Sequence, residues 1–235
     1  PVLQSLNGLF ARVARLRERE RNFTAFAAHE LRTPLAGLKT QAQVALASGD
    51  GAIREQALRQ IVVGVDRTGR LVRQLLDMSA VEALDQGERS GMVRPGSILR
   101  ALADELADPA KGVEVEVSPD LDDIELEIEP ELFNLAARNL MENAVNHSPP
   151  GGIVRCRVAG LSEEGRIIIE DDGPGIPEEE LPHVTERFFR GRNKAPVGSG
   201  LGLAIVELAL GRSGWRLRLQ NRDQGGLQAV MTNAA

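Results

Sequence analysis

The sequence predicts two domains: an all-α antiparallel helical hairpin that forms a dimeric four-helix bundle, then an α+β domain with a mixed sheet and helices on one face. Apolar residues recur every three or four positions up to Met78, whereas strand-like alternation is interspersed with helices after Pro95. Charge changes as well, because the chain has 12 Lys and Arg against 8 Asp and Glu up to Ala83, and 16 against 26 beyond it. This change of sign favours two domains with different roles.

The hairpin is predicted from two apolar stripes separated by a break. The first stripe runs from Leu3 through Leu16 and resumes from Leu31 to Leu46, and Ser48 to Gly51 then interrupts it. A second stripe follows from Leu58 to Met78. Two helices with such wide stripes cannot bury both against each other, so we predict a homodimer.

The stretch Phe26–Leu35, F-A-A-H-E-L-R-T-P-L, is the most unusual part of the first helix. On a helical wheel His29 lies about 200° from Leu31, so its imidazole should project away from the core. Pro34 removes a helical N–H and predicts a local kink. An exposed helical histidine is by itself usually a plain polar residue, and H-E-x-x-T lacks the second histidine of a zinc protease.

The remainder predicts a linker at residues 84–95, rich in Gly, Ser and Pro, and then alternating elements. Strands are predicted at 113–117, 126–128, 153–158, 166–170, 215–219 and 227–231, and helices at 97–106, 131–146 and 201–210. Cys156 is the single cysteine, which excludes an internal disulfide framework. No long block of basic residues suggests nucleic-acid binding, and no apolar run reaches the roughly 20 residues of a membrane span.

Three polar motifs lie at the edges of these elements. Asn139 and Asn143 share one helix face, and their amide oxygens suit Mg²⁺. D-D-G-P-G-I-P begins at Asp171, where a carboxylate at the end of a strand could accept a hydrogen bond from an exocyclic amine. G-S-G-L-G-L-A-I-V runs from Gly198 into a helix whose N-terminus would bind phosphates. Each motif alone has an ordinary interpretation: a solvated asparagine, a tight turn, or a glycine-rich loop that is neither Rossmann nor Walker type.

Taken together and in this order, the motifs resemble the core of a two-component sensor histidine kinase, which joins a dimerisation and histidine-phosphotransfer hairpin to an ATP-binding domain of the GHKL type. The matching segments are the phosphoacceptor box at 29–34, the asparagine box at 139–143, the first glycine box at 171–175, the phenylalanine box at 186–190 and the last glycine box at 198–203. Residues 1–16 resemble the end of a HAMP linker. The resemblance covers essentially the whole chain.

The resemblance implies a domain division and a location. Residues 1–20 would be the end of a HAMP-like signalling helix, 21–83 the dimerisation and phosphotransfer domain, 84–95 a linker and 96–235 the ATP-binding domain. The chain begins with Pro1 inside a helical pattern, so we expect a missing upstream membrane sensor. The protein would then be the cytoplasmic portion of a bacterial inner-membrane protein.

The resemblance also implies the site residues. His29 would be the phosphoacceptor, Glu30 the general base and Thr33 the residue that orients water for phosphatase activity on a response regulator. ATP and Mg²⁺ would be the cofactors, with Asn143 on the metal. The nucleotide-binding residues would be Asn139, Asn143, Asp171, Gly173, Gly175, Arg190, Lys194, Gly198, Gly200, Leu201 and Gly202.

Two positions depart from the family pattern. Thr185 stands where a phenylalanine usually opens the phenylalanine box, and Asn146 stands where the asparagine box usually carries a basic residue. The second departure leaves Arg190, Arg192 and Lys194 to supply positive charge near the phosphates. The alternative from another class is a degenerate, non-catalytic dimeric module that binds nucleotide and signals by conformation. Whether His29 is phosphorylated within one subunit or across the dimer stays open.

Overall fold

The computed structural model describes residues 2–83, 91–107, 111–159, 166–191 and 199–233. Their contacts divide the chain into two compact units, Pro1–Leu75 and Leu76–Ala235. No helix in the described ranges combines the length and apolar composition needed to cross a bilayer.

The first unit contains the predicted hairpin. Helix α1 spans Val2–Ala47 and passes through Pro34, and α2 spans Gly51–Ala83. Asp50 begins α2, because its Oδ1 accepts a hydrogen bond of 2.8 Å from the Ala52 N–H. Of the predicted stripe from Leu3 to Leu16, the structure describes the side chain of Phe10, which is exposed, and the other side chains of the stripe lie outside the described part.

One chain leaves a long apolar face of this unit uncovered. Leu58, Val62 and Val65 on α2 are between 51% and 61% exposed, and Leu35 and Leu46 on α1 are 55% and 88% exposed. Because positions 58, 62 and 65 are four and three residues apart, they form a single stripe on α2. Apolar side chains at this density are typical of a surface that another helix covers.

The second unit is built on a five-stranded mixed sheet. Its strands are β2 (Glu114–Val117), β4 (Ile153–Ala159), β5 (Arg166–Glu170), β6 (Trp215–Asn221) and β7 (Leu227–Asn233), in the order β2-β4-β5-β7-β6. The pair β2–β4 is parallel and the other pairs are antiparallel. The inward-facing side chains of the sheet, with those of helices α3 (Pro95–Leu106), α4 (Pro130–His147) and α5 (Gly202–Arg212), form the core. The mixed α+β architecture predicted from the sequence is confirmed.

A small second sheet was not predicted. Strands β1 (Met92–Val93) and β3 (Leu126–Glu127) pair antiparallel, with Val93 opposite Leu126. The sequence places Met92 and Val93 among linker residues, because a two-residue strand has no periodicity to detect. Helix α3 begins at Pro95 rather than Ser97, since proline is well suited to the first turn of a helix.

The last turns of α2 belong to the second unit. Met78 and Val81 are 0% and 2% exposed, and Val81 is part of the core of that unit. The carboxylate of Glu82 lies 2.6 Å from the Arg187 guanidinium. Its main-chain oxygen accepts a hydrogen bond of 3.1 Å from the Arg212 guanidinium. The end of α2 is therefore held by both core packing and polar contacts.

Candidate functional site

The site is centred on Asp171, the first residue after β5. Its side chain is buried, with 6% exposure, and its Oδ1 accepts hydrogen bonds from the N–H groups of Gly173 at 2.8 Å and Leu227 at 3.1 Å. Both bonds fall on one oxygen, so the carboxylate keeps a second oxygen with which to accept a bond from a ligand. Burial raises the pKa of Asp171, while the two main-chain bonds oppose that rise.

Gly173 and Gly175 bring the main chain of this loop close to its neighbours. A Cβ on Gly173 would lie 2.8 Å from the carbonyl oxygen of His147, at the end of α4. Gly175 has a φ of 71°, and a Cβ there would lie 2.6 Å from Oδ1 of Asn221. A side chain at either position would therefore displace the loop.

Asn139 and Asn143 on α4 face the beginning of α5. Asn139 is 3% exposed, and its Nδ2 donates to the Leu135 carbonyl oxygen at 2.9 Å. A Cβ on Gly202 would lie 3.4 Å from Oδ1 of Asn139 and 3.5 Å from Oδ1 of Asn143. Two amide side chains thus meet the N-terminal end of a helix, where main-chain N–H groups favour anions.

The segment before α5 is connected to the predicted phenylalanine box. The Phe188 N–H donates to the Gly200 carbonyl oxygen at 2.8 Å, and Phe188 has a φ of 71°, which is rare for a residue with a large side chain. Leu201 is fully buried, and its N–H donates to the Ser199 hydroxyl at 3.1 Å. Arg190 is exposed nearby in the chain, and Gly198 and Lys194 lie outside the described residues.

The predicted phosphotransfer residues lie in the other unit. His29 and Thr33 are exposed on α1, four residues apart and so on one helix face, and Glu30 is half-buried. The structure therefore brings together the asparagines, Asp171, its glycines and Gly202 within one unit. His29, Glu30 and Thr33 form a separate group on the hairpin.

The two departures from the family pattern have different surroundings. At Asn146, the Lys111 ammonium donates to the main-chain oxygen at 3.1 Å, so a cation from before β2 lies beside this position. Thr185 is half-buried and lines a cavity of about 330 Å³ with Ala204 and Leu208 of α5.

Sequence reasoning missed two residues of the site, Asn221 and Arg222. Asn221 binds both main-chain polar groups of Ile176, and Arg222 binds the main-chain oxygen of Asp171. They follow the residues that they contact by 45 and 51 positions and belong to no recognisable motif. Only their place at the end of the predicted strand over residues 215–219 could have indicated them.

The donor set fits a magnesium ion that is shared with a ligand. Among the described residues, no group of three or more His, Cys, Asp or Glu side chains could hold a metal. The polar groups near Gly202 are instead neutral amides, and Mg²⁺ commonly takes one or two protein oxygens and completes its shell with water and phosphate oxygens.

Two family models match the chain. Residues 19–84 match the His Kinase A (phospho-acceptor) domain, and residues 128–233 match the histidine kinase-, DNA gyrase B- and HSP90-like ATPase. The first match contains the predicted phosphoacceptor box, and the second contains the asparagine box, both glycine boxes and the phenylalanine box.

Individual proteins give the same result. The sensor protein QseC of Salmonella typhimurium is 37% identical over 99% of this chain and 51% of its own length, so the chain spans about half of this curated relative. The histidine-protein kinase/phosphatase MprB of Mycobacterium bovis is 31% identical over 96% of this chain and 46% of its own length. The solved histidine kinase ThkA in complex with the response regulator TrrA has a TM-score of 0.70 at 18% identity, covering 92% of this chain and 63% of ThkA, which is a similarity of fold.

Proposed function

Because the chain belongs to the family of sensor histidine kinases, we propose that it uses ATP to phosphorylate His29 and passes the phosphoryl group to an aspartate of a response regulator. The observation that carries this proposal is Asp171. A buried carboxylate with one oxygen fixed by two main-chain N–H groups is pre-organised to accept a bond from the exocyclic amine of adenine.

The other site residues take roles around the phosphates. Asn143 would supply an oxygen to Mg²⁺, which would neutralise phosphate charge when bound. Asn139 would support the Asn143 side chain from the preceding turn of α4. Gly200 and Gly202 offer main-chain N–H groups at the start of α5, and Leu201, whose own N–H donates to the Ser199 hydroxyl, anchors the segment between them in the core. Gly173 and Gly175 shape the loop beneath the base, and Arg190, Lys194 and Gly198 act near the phosphates.

Phosphoryl transfer then requires little besides positioning and charge neutralisation. A ring nitrogen of His29 attacks the γ-phosphorus, the bond from phosphorus to the bridging oxygen breaks, and ADP leaves. Glu30 takes the proton from the other ring nitrogen as general base. The exposure of His29 supports this role, because the imidazole must be reached first by ATP and then by a regulator.

The same surface supports a phosphatase role. Thr33 is exposed on the His29 face of α1, and its hydroxyl can orient a water molecule against the aspartyl phosphate of a docked regulator. The name of the relative MprB, a kinase/phosphatase, is in keeping with both activities on one hairpin.

The assembly that we propose is a homodimer through the uncovered apolar face of α1 and α2, with the regulator docking near His29. The domains are a HAMP-like helix at 1–20, the phosphotransfer hairpin at 21–83, a linker at 84–95 and the ATP-binding domain at 96–235. An upstream membrane sensor would place this core on the cytoplasmic side of a bacterial inner membrane.

Incubation with γ-labelled ATP tests the proposal. The wild-type protein should acquire a label that is stable to alkali and labile to acid, whereas His29→Gln should acquire none. Arg67→Glu, an exposed change elsewhere on the hairpin, serves as a matched control and should label normally. No label on the wild type at any ATP concentration would instead favour the non-catalytic signalling module.

A further inference from the structure

We propose that Asn221 and Arg222, at the end of β6, are positioning residues that hold the adenine-binding loop in shape and thereby determine the preference for a 6-amino purine. The inference rests on the proposed function, in which Asp171 accepts a bond from adenine. We call the two residues the β6 clamp.

Arg222 holds the beginning of the loop. Its Nη1 donates to the Asp171 carbonyl oxygen at 2.6 Å and to Oδ1 of Asp172 at 3.0 Å, and its side chain is only 20% exposed. Asp172 is in turn tied to β4, because it accepts bonds from the Arg155 guanidinium at 2.8 Å and the Ile153 N–H at 3.0 Å. Charge-assisted bonds of this kind are stronger than neutral ones.

Asn221 holds the other end of the loop. Its Nδ2 donates to the Ile176 carbonyl oxygen at 2.6 Å, and its Oδ1 accepts from the Ile176 N–H at 2.8 Å. One side-chain amide thus satisfies both main-chain polar groups of Ile176, as a neighbouring strand would. The five-residue span from Asp171 to Gly175 is fixed on both sides by two consecutive residues.

The turn that follows the clamp completes the contact with Asp171. The Arg222 N–H donates to the Gly226 carbonyl oxygen at 3.0 Å, and the next residue, Leu227, donates to Oδ1 of Asp171. Gly226 has a φ of 92°, and a Cβ there would overlap the Asp171 carbonyl oxygen. The clamp therefore controls both the main chain and the carboxylate of Asp171.

Purine chemistry provides a specific readout. Adenine carries an amine at position 6, which can donate to Asp171, whereas hypoxanthine carries a carbonyl oxygen there, which cannot. A residue that acts through Asp171 should affect the binding of ATP but not that of inosine triphosphate. A residue that only stabilises the domain should affect both nucleotides alike.

The experiment measures dissociation constants of ATP and inosine triphosphate for the full chain by isothermal titration calorimetry. Arg222→Gln should weaken ATP about tenfold and inosine triphosphate by less than about twofold. The variant loses the charge-assisted bonds to the Asp171 carbonyl oxygen and the Asp172 carboxylate that position Asp171, and only ATP has an amine to donate to Asp171. Arg222→Lys keeps the charge, and its dissociation constant for ATP should lie between those of the wild type and Arg222→Gln. Arg218→Gln, exposed on the same strand, is the matched control and should leave both constants unchanged.

Asn221→Asp is the second variant, since it keeps the acceptor for the Ile176 N–H and loses the donor. It should also weaken ATP more than inosine triphosphate. Equal weakening of both nucleotides in Arg222→Gln and Asn221→Asp, or unchanged ATP binding in both, would overturn the β6 clamp. Asp171→Asn distinguishes a failure of the clamp from a failure of the proposed function. If Asp171→Asn weakens ATP binding and the clamp variants do not, the clamp alone is refuted. If Asp171→Asn leaves ATP binding unchanged, the proposed role of Asp171 itself is refuted.

Discussion

Two adjacent carboxylates, Asp171 and Asp172, have been given opposite chemical environments. Burial raises the pKa of Asp171, whereas the guanidinium groups of Arg155 and Arg222 lower the pKa of Asp172 to about 2. Asp172 therefore stays ionised as a structural anchor under all ordinary conditions. Asp171 is the one of the pair whose environment leaves it responsive to a ligand, which fits a binding role.

Cys156, in contrast to Asp171, is a chemically reactive group that burial makes unreactive. It is 1% exposed on the core side of β4, and burial raises its pKa to about 12. Since the thiolate is the nucleophile, and a thiol with this pKa is protonated at pH 8, we expect iodoacetamide to label Cys156 very slowly in the folded protein. Mass spectrometry after timed alkylation checks this, with the same reaction in concentrated urea as control. Equally fast labelling in both conditions would show that the site is open.

At this scale, sequence analysis pointed to the candidate site residues that stand in short motifs, and it missed the residues that support them. Asp171, Asn139 and Gly202 stand in short motifs, and the structure places them in one unit. Asn221 and Arg222 act over long sequence separations through side-chain contacts with main-chain atoms, and such contacts have no periodicity or spacing that sequence alone could reveal.

The elements were largely predictable because their apolar periods are strong. The long helices and the main strands follow periods of 3.6 and 2, which depend only on which side chains face the core. Strand β3 falls within the strand predicted at 126–128, whereas its partner β1 was missed, since two residues are too few to form a pattern. The division of α2 between the two units was equally invisible, because its apolar stripe continues unbroken across Leu75 and Leu76.

The apolar stripe on α2 leads to a prediction about association. Val62 is 61% exposed in one chain and lies between Leu58 and Val65 on the same stripe. Placing a charge there would bury it in the proposed dimer, so we expect Val62→Glu to weaken dimerisation by at least about tenfold. Sedimentation equilibrium measures the change. Arg67→Glu, about 140° around the helix, should remain dimeric, and an unchanged dimer in Val62→Glu would place the interface on another face.

Across the whole molecule, one hairpin surface serves two proposed reactions. In the proposed function, autophosphorylation would require His29 and the ATP-binding unit, whereas regulator dephosphorylation would require Thr33 and bound water. We therefore expect Thr33→Ala to retain His29 labelling within about twofold and to lose most phosphatase activity, about tenfold or more, because a single positioning group is removed. Labelled regulator provides the phosphatase assay, and Thr33→Ser should restore activity. Equal loss of both activities in Thr33→Ala would contradict the assignment.

The contact between Arg222 and Asp171 also has a consequence for the order of events during protein synthesis. The two residues are 51 positions apart, and chains grow at about 5–20 residues per second, so the loop waits roughly 3–10 s for its clamp to be translated. The phosphotransfer hairpin has been made long before. Under the proposed function, a nascent chain would therefore present His29, and even find its dimer partner, before the proposed ATP pocket is complete.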